Sequence, residues 1–599
     1  MEAFDKIKQL IEEKKSFVLE AGAGSGKTYT LIQTINYLLE NKGTDLKLKN
    51  QKIVCITYTN VAKNEIIERL ENNPLVIVST IHEFLWDCIK SYNKQLLIEF
   101  DALNTAFYEQ KPEKYQLGLI ERITKVEYDD RVYSEFEEGK VGHDDLITLS
   151  RNMFKNYELL TNILSAKYPY ILIDEYQDTA IETVESLIEY LFEKNKGKVI
   201  LGFFGDSYQK IYDTGVGSLS TYIESNKIEL VTKEENYRCS QSVVNLLNNV
   251  RTNIVQKIPE NIEVNQGSIK FINCKNYPVL PPKGKITEYE KSLIPQKNSN
   301  YDQLIMELES DGWNFGKDSD DKILIIANSR VAERGGFGDL YKIYSTRYGQ
   351  GANEALLKRE NYFTSFFIGS IDKKTSKERE TGIEHLVAYY LNKEYNSVMR
   401  FLKKNGKESF NLKTHKDKSV IADKIKELVH LRKTKNVKAV FDFSLNNKLV
   451  SLPLGIKKFQ ERIQSNTDGL DEEIKKKIEK DINFYNNLMA LPYSEFIELF
   501  KHSQNQSVFS TKHGTKGEEY RNVLVVIDDT SWKQKYNFQD FINGSEKTPD
   551  RELRTKNLFY VSCSRAKEKL VVLSLSNMED TTMNKVKEWF GKENVVELN

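Results

Sequence analysis

Short apolar runs and helically spaced ones alternate along the first 250 residues. Phe17 to Glu20 reads as a buried strand, followed by a small-residue loop, Ala21 to Gly26. A run with helical spacing comes next (Leu31, Ile32, Ile35, Leu38, Leu39). The same order recurs. Ile53 to Ile56 is an apolar strand ending in Thr57-Tyr58-Thr59-Asn60, and the helical run AKNEIIERL follows. LVIVSTIHEF carries Thr80 and His82 at its end. Tyr170 to Ile173 leads into Asp174-Glu175, KVILGFFGD ends at Gly205-Asp206, and ELVTKEENYRCSQSVVNLLNNV gives strand, polar turn and helix. Such βα units predict an α/β fold, a parallel sheet with helices on both faces, whose ligands bind beyond the C-terminal strand ends. Residues from about 87 to 165 are charged, Tyr-rich and helical in pattern, and read as an insertion.

The chemistry collects at those strand ends. AGAGSGKT between a strand and a helix is the order a phosphate-binding loop needs: backbone N–H groups turn inward around a polyphosphate, and the helix N-terminus adds a favourable partial charge. The expected nucleotide-binding residues are Ala21, Gly22, Ala23, Gly24, Ser25, Gly26, Lys27, Thr28 and Tyr29. Lys27 is placed to reach the β- and γ-phosphates, and the Thr28 hydroxyl to sit on Mg²⁺. The usual pattern has glycine six residues before the lysine; here it is Ala21. The bland alternative is an ordinary strand–turn–helix. Asp174 would hold Mg²⁺ through water, and Glu175 would orient or deprotonate the attacking water. Gln209, just past a strand end, is placed to sense a γ-phosphate.

Composition narrows the class without naming it. The 599 residues predict several domains. Lys+Arg and Asp+Glu are both 87, so the surface is not uniformly basic, although a local basic channel suffices for nucleic acid. The five cysteines form no CxxC pair, which suggests no zinc site and suits a reducing, cytoplasmic location. No apolar run approaches the roughly 18 residues of a membrane span, so no membrane partner is expected.

The motifs together resemble the UvrD/Rep/PcrA family of superfamily 1A DNA helicases. AGAGSGKT resembles motif I, TYTNVAKNEI motif Ia, IDEYQDT motif II, GDSYQKIY motif III and ENYRCS motif IV. TIHEF is similar to a further DNA-contacting motif, STKHGTKGEEYRNVLVV to motif V and LFYVSCSRAKEKLVVL to motif VI. The resemblance implies two RecA-like motor domains, each interrupted by a largely helical insertion. It assigns 1–86 and 166–235 to motor 1A, 87–165 to insertion 1B, 236–345 and 501–599 to motor 2A, and 346–500 to insertion 2B. It implies ATP and Mg²⁺ as cofactors. By the same resemblance Lys27, Glu175, Gln209, Arg238 and Arg565 are catalytic, Thr28 and Asp174 hold the metal, Tyr237 stacks on the base and Glu519 bonds the ribose. Thr57, Tyr58, Asn60, Thr80, His82, Tyr212 and His513 match single-strand DNA contacts. The implied activity is 3′–5′ movement along single-stranded DNA driven by ATP hydrolysis. Stacking on bases suits a translocase because every base has a π-face.

The chain departs from the family after motif III. Relatives place a Trp and an Arg there that wedge bases apart, whereas this chain reads DTGVGS. The region 346–500 carries no recognised motif. Within it, residues 403 to 438 hold 12 Lys/Arg against 4 Asp/Glu, including Lys403, Lys404, Lys413, Lys416, Lys418, Arg432, Lys433 and Lys435. Three readings stand for this run: a grip on forked or duplex DNA through phosphates, a solvated helical face, or a docking surface for a partner. Two functions remain open. One is an ATP-dependent translocase or helicase. The other is a DNA- and nucleotide-sensing ATPase subunit of an anti-phage complex such as the Gabija type, acting with a partner nuclease and unwinding little. An RNA helicase fits less well, and a small-molecule kinase leaves motifs V and VI unexplained.

Overall fold

The computed structural model describes residues 2–129, 134–210, 215–279, 285–315, 319–325, 328–372, 378–406, 414–465, 472–504, 509–510, 518–530 and 535–598. The chain forms two compact units, residues 1–277 with 528–599, and residues 278–527.

The first unit contains a six-stranded sheet built from β1 (Phe17–Ala21), β2 (Ile53–Thr57), β3 (Val76–Thr80), β4 (Tyr170–Asp174), β5 (Ile200–Gly205) and β6 (Glu229–Lys233). The strand order is β3-β2-β4-β5-β1-β6, and every pairing is parallel. Strands β1, β2 and β5 are buried at every position because helices cover both faces. Their side chains still alternate. Val18, Val54, Ile56, Ile171, Ile173, Leu201 and Phe203 enter one core, shared with the helices between 81 and 192. Phe17, Leu19, Ile53, Cys55, Leu172, Ile200 and Phe204 enter the other, with Leu31, Ile35 and Leu38 of the helix Lys27–Leu48. This is the two-residue period of a strand sampled by two layers. The segment expected as an insertion is largely helical among its described residues, with helices Asn93–Gln110 and His143–Asn156 packed into the first core.

A second parallel group in the same unit places Ser268–Cys274 between Ala566–Ser574 and Val595–Leu598. In the second unit, Lys322–Ile325 pairs in parallel with Phe509–Ser510 and Tyr520–Ile527. Helices around an aromatic-rich core (Tyr344, Phe363, Phe367, Phe484, Tyr493, Phe496) make up most of the rest. Arg432, counted in the basic run, is buried there and pairs with buried Glu384. Lys403, Lys404, Lys433 and Lys435 are exposed; Lys413 lies outside the described residues, as does the side chain of Lys416. Among the described residues, no helix is long and apolar enough to cross a membrane.

Candidate nucleotide site

The loop after β1 turns through Gly24 and Gly26, whose φ angles of 74° and 76° are left-handed, and then enters the helix Lys27–Leu48. Ala21, Gly22, Ala23 and Ser25 are buried. The missing glycine at position 21 costs nothing here, because Ala21 is the last residue of β1 and lies within the core. Lys27 Nζ and Ser25 Oγ are buried with no hydrogen-bond partner among the described residues. Lys27 Nζ lies 3.7 Å from Glu175 Oε2. A buried ammonium and hydroxyl left without hydrogen bonds suit a polyphosphate, which would supply acceptor oxygens to both. Thr28 is half-buried in the first helical turn, and Tyr29 is exposed.

Asp174 closes β4 and is buried, and its Oδ1 accepts a hydrogen bond from the Glu175 N–H at 3.1 Å. Glu175 itself has φ 53°, a strained conformation for a non-glycine residue. The strain aims its carboxylate back toward Lys27 and into a 2.5 Å hydrogen bond from Gln177 Nε2. The Thr28 hydroxyl and the Asp174 carboxylate are the oxygen donors a Mg²⁺ bound mainly by phosphates and water would use.

Gln209 is buried, donates to Asp206 Oδ2 at 2.8 Å and accepts from Arg565 at 3.4 Å. Arg565 is almost fully buried, and its Nε donates to the Val561 carbonyl at 3.1 Å. Arg238 is half-buried and donates to the Ser564 carbonyl at 3.4 Å. Tyr237 is exposed, its ring centre 5.7 Å from the Lys233 ammonium, and its N–H donates to the Gly24 carbonyl. The first unit therefore assembles the loop, Asp174, Glu175, Gln209, Arg238 and Arg565. Glu519 is in the second unit, exposed at the entry to the strand Tyr520–Ile527.

Several residues the motifs did not single out hold this group together. Asn236 is fully buried; its Nδ2 donates to the Ala23 carbonyl, and its Oδ1 accepts from the N–H groups of Arg238 and Cys239. Gln256 Nε2 donates to the same carbonyl at 2.9 Å. Tyr560 accepts from the Ala23 N–H at 3.0 Å. Beneath them, Arg251 bonds Glu20 at the end of β1 and Asp206 after β5. A carboxylate near the end of an apolar strand, as at Glu20, was the one sequence signal for this knot.

Of the expected DNA contacts, Thr57 is buried at the end of β2 with no hydrogen-bond partner for its hydroxyl among the described residues. Tyr58 is exposed beside it, and Asn60 opens the helix Asn60–Arg69. Thr80 caps the helix Ile81–Ile89 in a reciprocal box with Glu83. The His82 ring stacks on His143 at 3.6 Å. Burial and His143 push its pKa down to about 3. Tyr212 and His513 lie outside the described residues.

A phosphate loop after β1, an acid pair at the end of β4, a buried glutamine and two arginines thus gather in the first unit. The chain is similar to helicases of the UvrD/Rep/PcrA type. Residues 5–215 match the AAA domain family. The chain is 27% identical to the Gabija protein GajB of Bacillus cereus (strain HuB5-5), over 97% of this chain and 96% of that protein. It is 27% identical to the ATP-dependent DNA helicase Rep of Buchnera aphidicola, over 43% of this chain and 45% of that protein. With the ATP-dependent DNA helicase PcrA of Staphylococcus aureus it shares 26% identity, over 41% of this chain and 39% of that protein.

Proposed function

We propose that this chain is an ATP-dependent DNA translocase whose hydrolysis of ATP drives 3′–5′ movement on single-stranded DNA. The observation that carries the reading is Lys27, its ammonium buried without a hydrogen-bond partner among the described residues and 3.7 Å from Glu175 at the head of a parallel sheet. In this reading Lys27 and the loop N–H groups bind the β- and γ-phosphates of ATP. Thr28 and Asp174 hold Mg²⁺, which when bound neutralises charge between those phosphates. Glu175 orients the attacking water and takes up its proton. Gln209 senses the γ-phosphate, and Arg238 and Arg565 stabilise charge on the transferring group. Tyr237 stacks on the base, and the ribose contact of Glu519 rests on the family resemblance alone. Thr57, Tyr58, Asn60, Thr80 and His82 contact the strand, with Tyr58 offering an exposed ring to a base; Tyr212 and His513 are strand contacts by the family resemblance alone.

A second reading is favoured by the similarity to Gabija protein GajB along nearly the whole of both chains, where the likeness to Rep and PcrA covers less than half. In it the same ATPase serves an anti-phage complex as a DNA sensor beside a partner nuclease and separates strands weakly. Forked duplexes with 3′ or 5′ single-stranded tails decide between them. Unwinding of long 3′-tailed forks by the purified chain supports the translocase reading. Strong DNA-dependent hydrolysis without strand separation, together with co-purification of a nuclease, favours the sensor. Preference for 5′ tails would refute the assigned direction.

A further inference from the structure

Arg251 follows the helix Gln241–Val250 and is 1% exposed. Its terminal nitrogens are spent on three partners. One donates to Asp206 Oδ1 at 2.8 Å and to the Tyr560 hydroxyl at 3.3 Å; the other donates to Glu20 Oε1 at 3.0 Å. Its Nε donates to Asn253 Oδ1, and the guanidinium carbon lies 4.9 Å from the centre of the Tyr208 ring. A buried planar fork with five donors suits such multipoint holding, and an ammonium does not.

Each partner leads to a different part of the nucleotide site. Asp206 accepts from Gln209 Nε2 through its other oxygen, and its N–H donates to Gln177 Oε1 at 3.1 Å. Gln177 in turn donates to Glu175. Both polar ends of the hydrolytic group thus hang from Asp206. Tyr560 accepts from the Ala23 N–H and donates to Gln256 Oε1 at 3.3 Å, and Gln256 donates to the Ala23 carbonyl. That arm grips the phosphate loop. Glu20 also accepts from Ser207 and from the Tyr176 hydroxyl, tying the start of the loop to the segment carrying Gln209.

We infer that Arg251 is a positioning residue for ATP hydrolysis, setting Gln209 and Glu175 through Asp206 and the phosphate loop through Tyr560. The inference rests on the ATPase reading of the site. The two arms act on different quantities. Loss of the Asp206 arm misplaces groups that work on the reacting phosphate, so it lowers kcat. Loss of the Tyr560 arm loosens the loop, so it weakens nucleotide binding.

The test is steady-state ATP hydrolysis with single-stranded DNA, and equilibrium binding of a fluorescent ATP analogue, on the full chain. Arg251→Lys keeps the charge and loses the fork. It is expected to lower kcat roughly ten- to hundredfold and raise the analogue Kd. Asp206→Asn should lower kcat with little change in Kd. Tyr560→Phe should raise KM more than it lowers kcat. Asp206→Asn added to Arg251→Lys should lower kcat little further, because the two act through one chain of bonds. If Arg251→Lys leaves kcat and Kd within twofold of wild type, or if the Arg251 and Asp206 effects multiply independently, the inference fails while the ATPase reading stands. If wild type and Lys27→Ala are equally inactive, both fail.

Discussion

Replacing Gly22 with alanine probes the grip on the phosphate loop directly. The backbone at Gly22 is not left-handed, so what a side chain meets there is crowding and not backbone strain. A Cβ would lie 2.1 Å from Gln256 Nε2, 2.3 Å from its Cδ and 2.9 Å from its Cγ. Gln256 must leave, and its bonds to the Ala23 carbonyl and from Tyr560 go with it. Two hydrogen bonds at about 1 kcal/mol each, plus about 1–2 kcal/mol of overpacking, put the local cost at roughly 3–4 kcal/mol. Native-state hydrogen exchange of the segment covering Ala23 reads this cost. At about 1.4 kcal/mol per tenfold, exchange should quicken roughly a hundred- to several-hundredfold. Gln256→Ala alone should cost roughly 2 kcal/mol, because it loses the same two bonds without the clash. In the double variant the methyl introduced at position 22 occupies the vacated space and the overpacking vanishes. The double variant also loses the two shared bonds only once, so the two changes should couple by roughly 3–4 kcal/mol in the stabilising direction. Additive effects would refute the claim that Gln256 is what requires glycine at position 22.

Two further outcomes follow from named groups. Glu175→Gln should leave nucleotide affinity within a fewfold and lower the hydrolysis rate by roughly 10²–10⁴, the range of a lost general base, as measured by single-turnover phosphate release; a rate within tenfold of wild type would remove Glu175 from the chemistry. His82 has its folded pKa near 3, against about 6.5 when unfolded, so the two states bind protons alike well above pH 6.5. Below that the unfolded state binds the extra proton and stability falls, by about 2 kcal/mol at pH 5. Thermal unfolding should thus shift more between pH 7.5 and 5 for wild type than for His82→Gln, and parallel shifts would contradict the burial argument.

The parts of the site legible in the sequence are those whose chemistry is contiguous. AGAGSGKT, the Asp174-Glu175 pair and the Gln209 segment each sit at one strand end, so periodicity and spacing locate them without any knowledge of contacts. The knot around Arg251 is different. Glu20, Asp206, Arg251 and Tyr560 come from four separate segments, and an arginine after an apolar helix reads as an ordinary solvated helix end. The basic run shows the converse. Arg432 counts toward a charged surface in the sequence but turns inward to Glu384, because its position on the helix faces the core. Gly22 was legible as a loop glycine, yet part of the reason for it, the Gln256 side chain, lies 234 positions later in the chain.

The most direct measurement is ATP turnover by the purified chain with and without single-stranded DNA, for wild type and for Lys27→Ala. Hydrolysis that rises several-fold with single-stranded DNA and is lost in Lys27→Ala is the expected result. Turnover indifferent to DNA, or retained by Lys27→Ala, would contradict the assignment of this site.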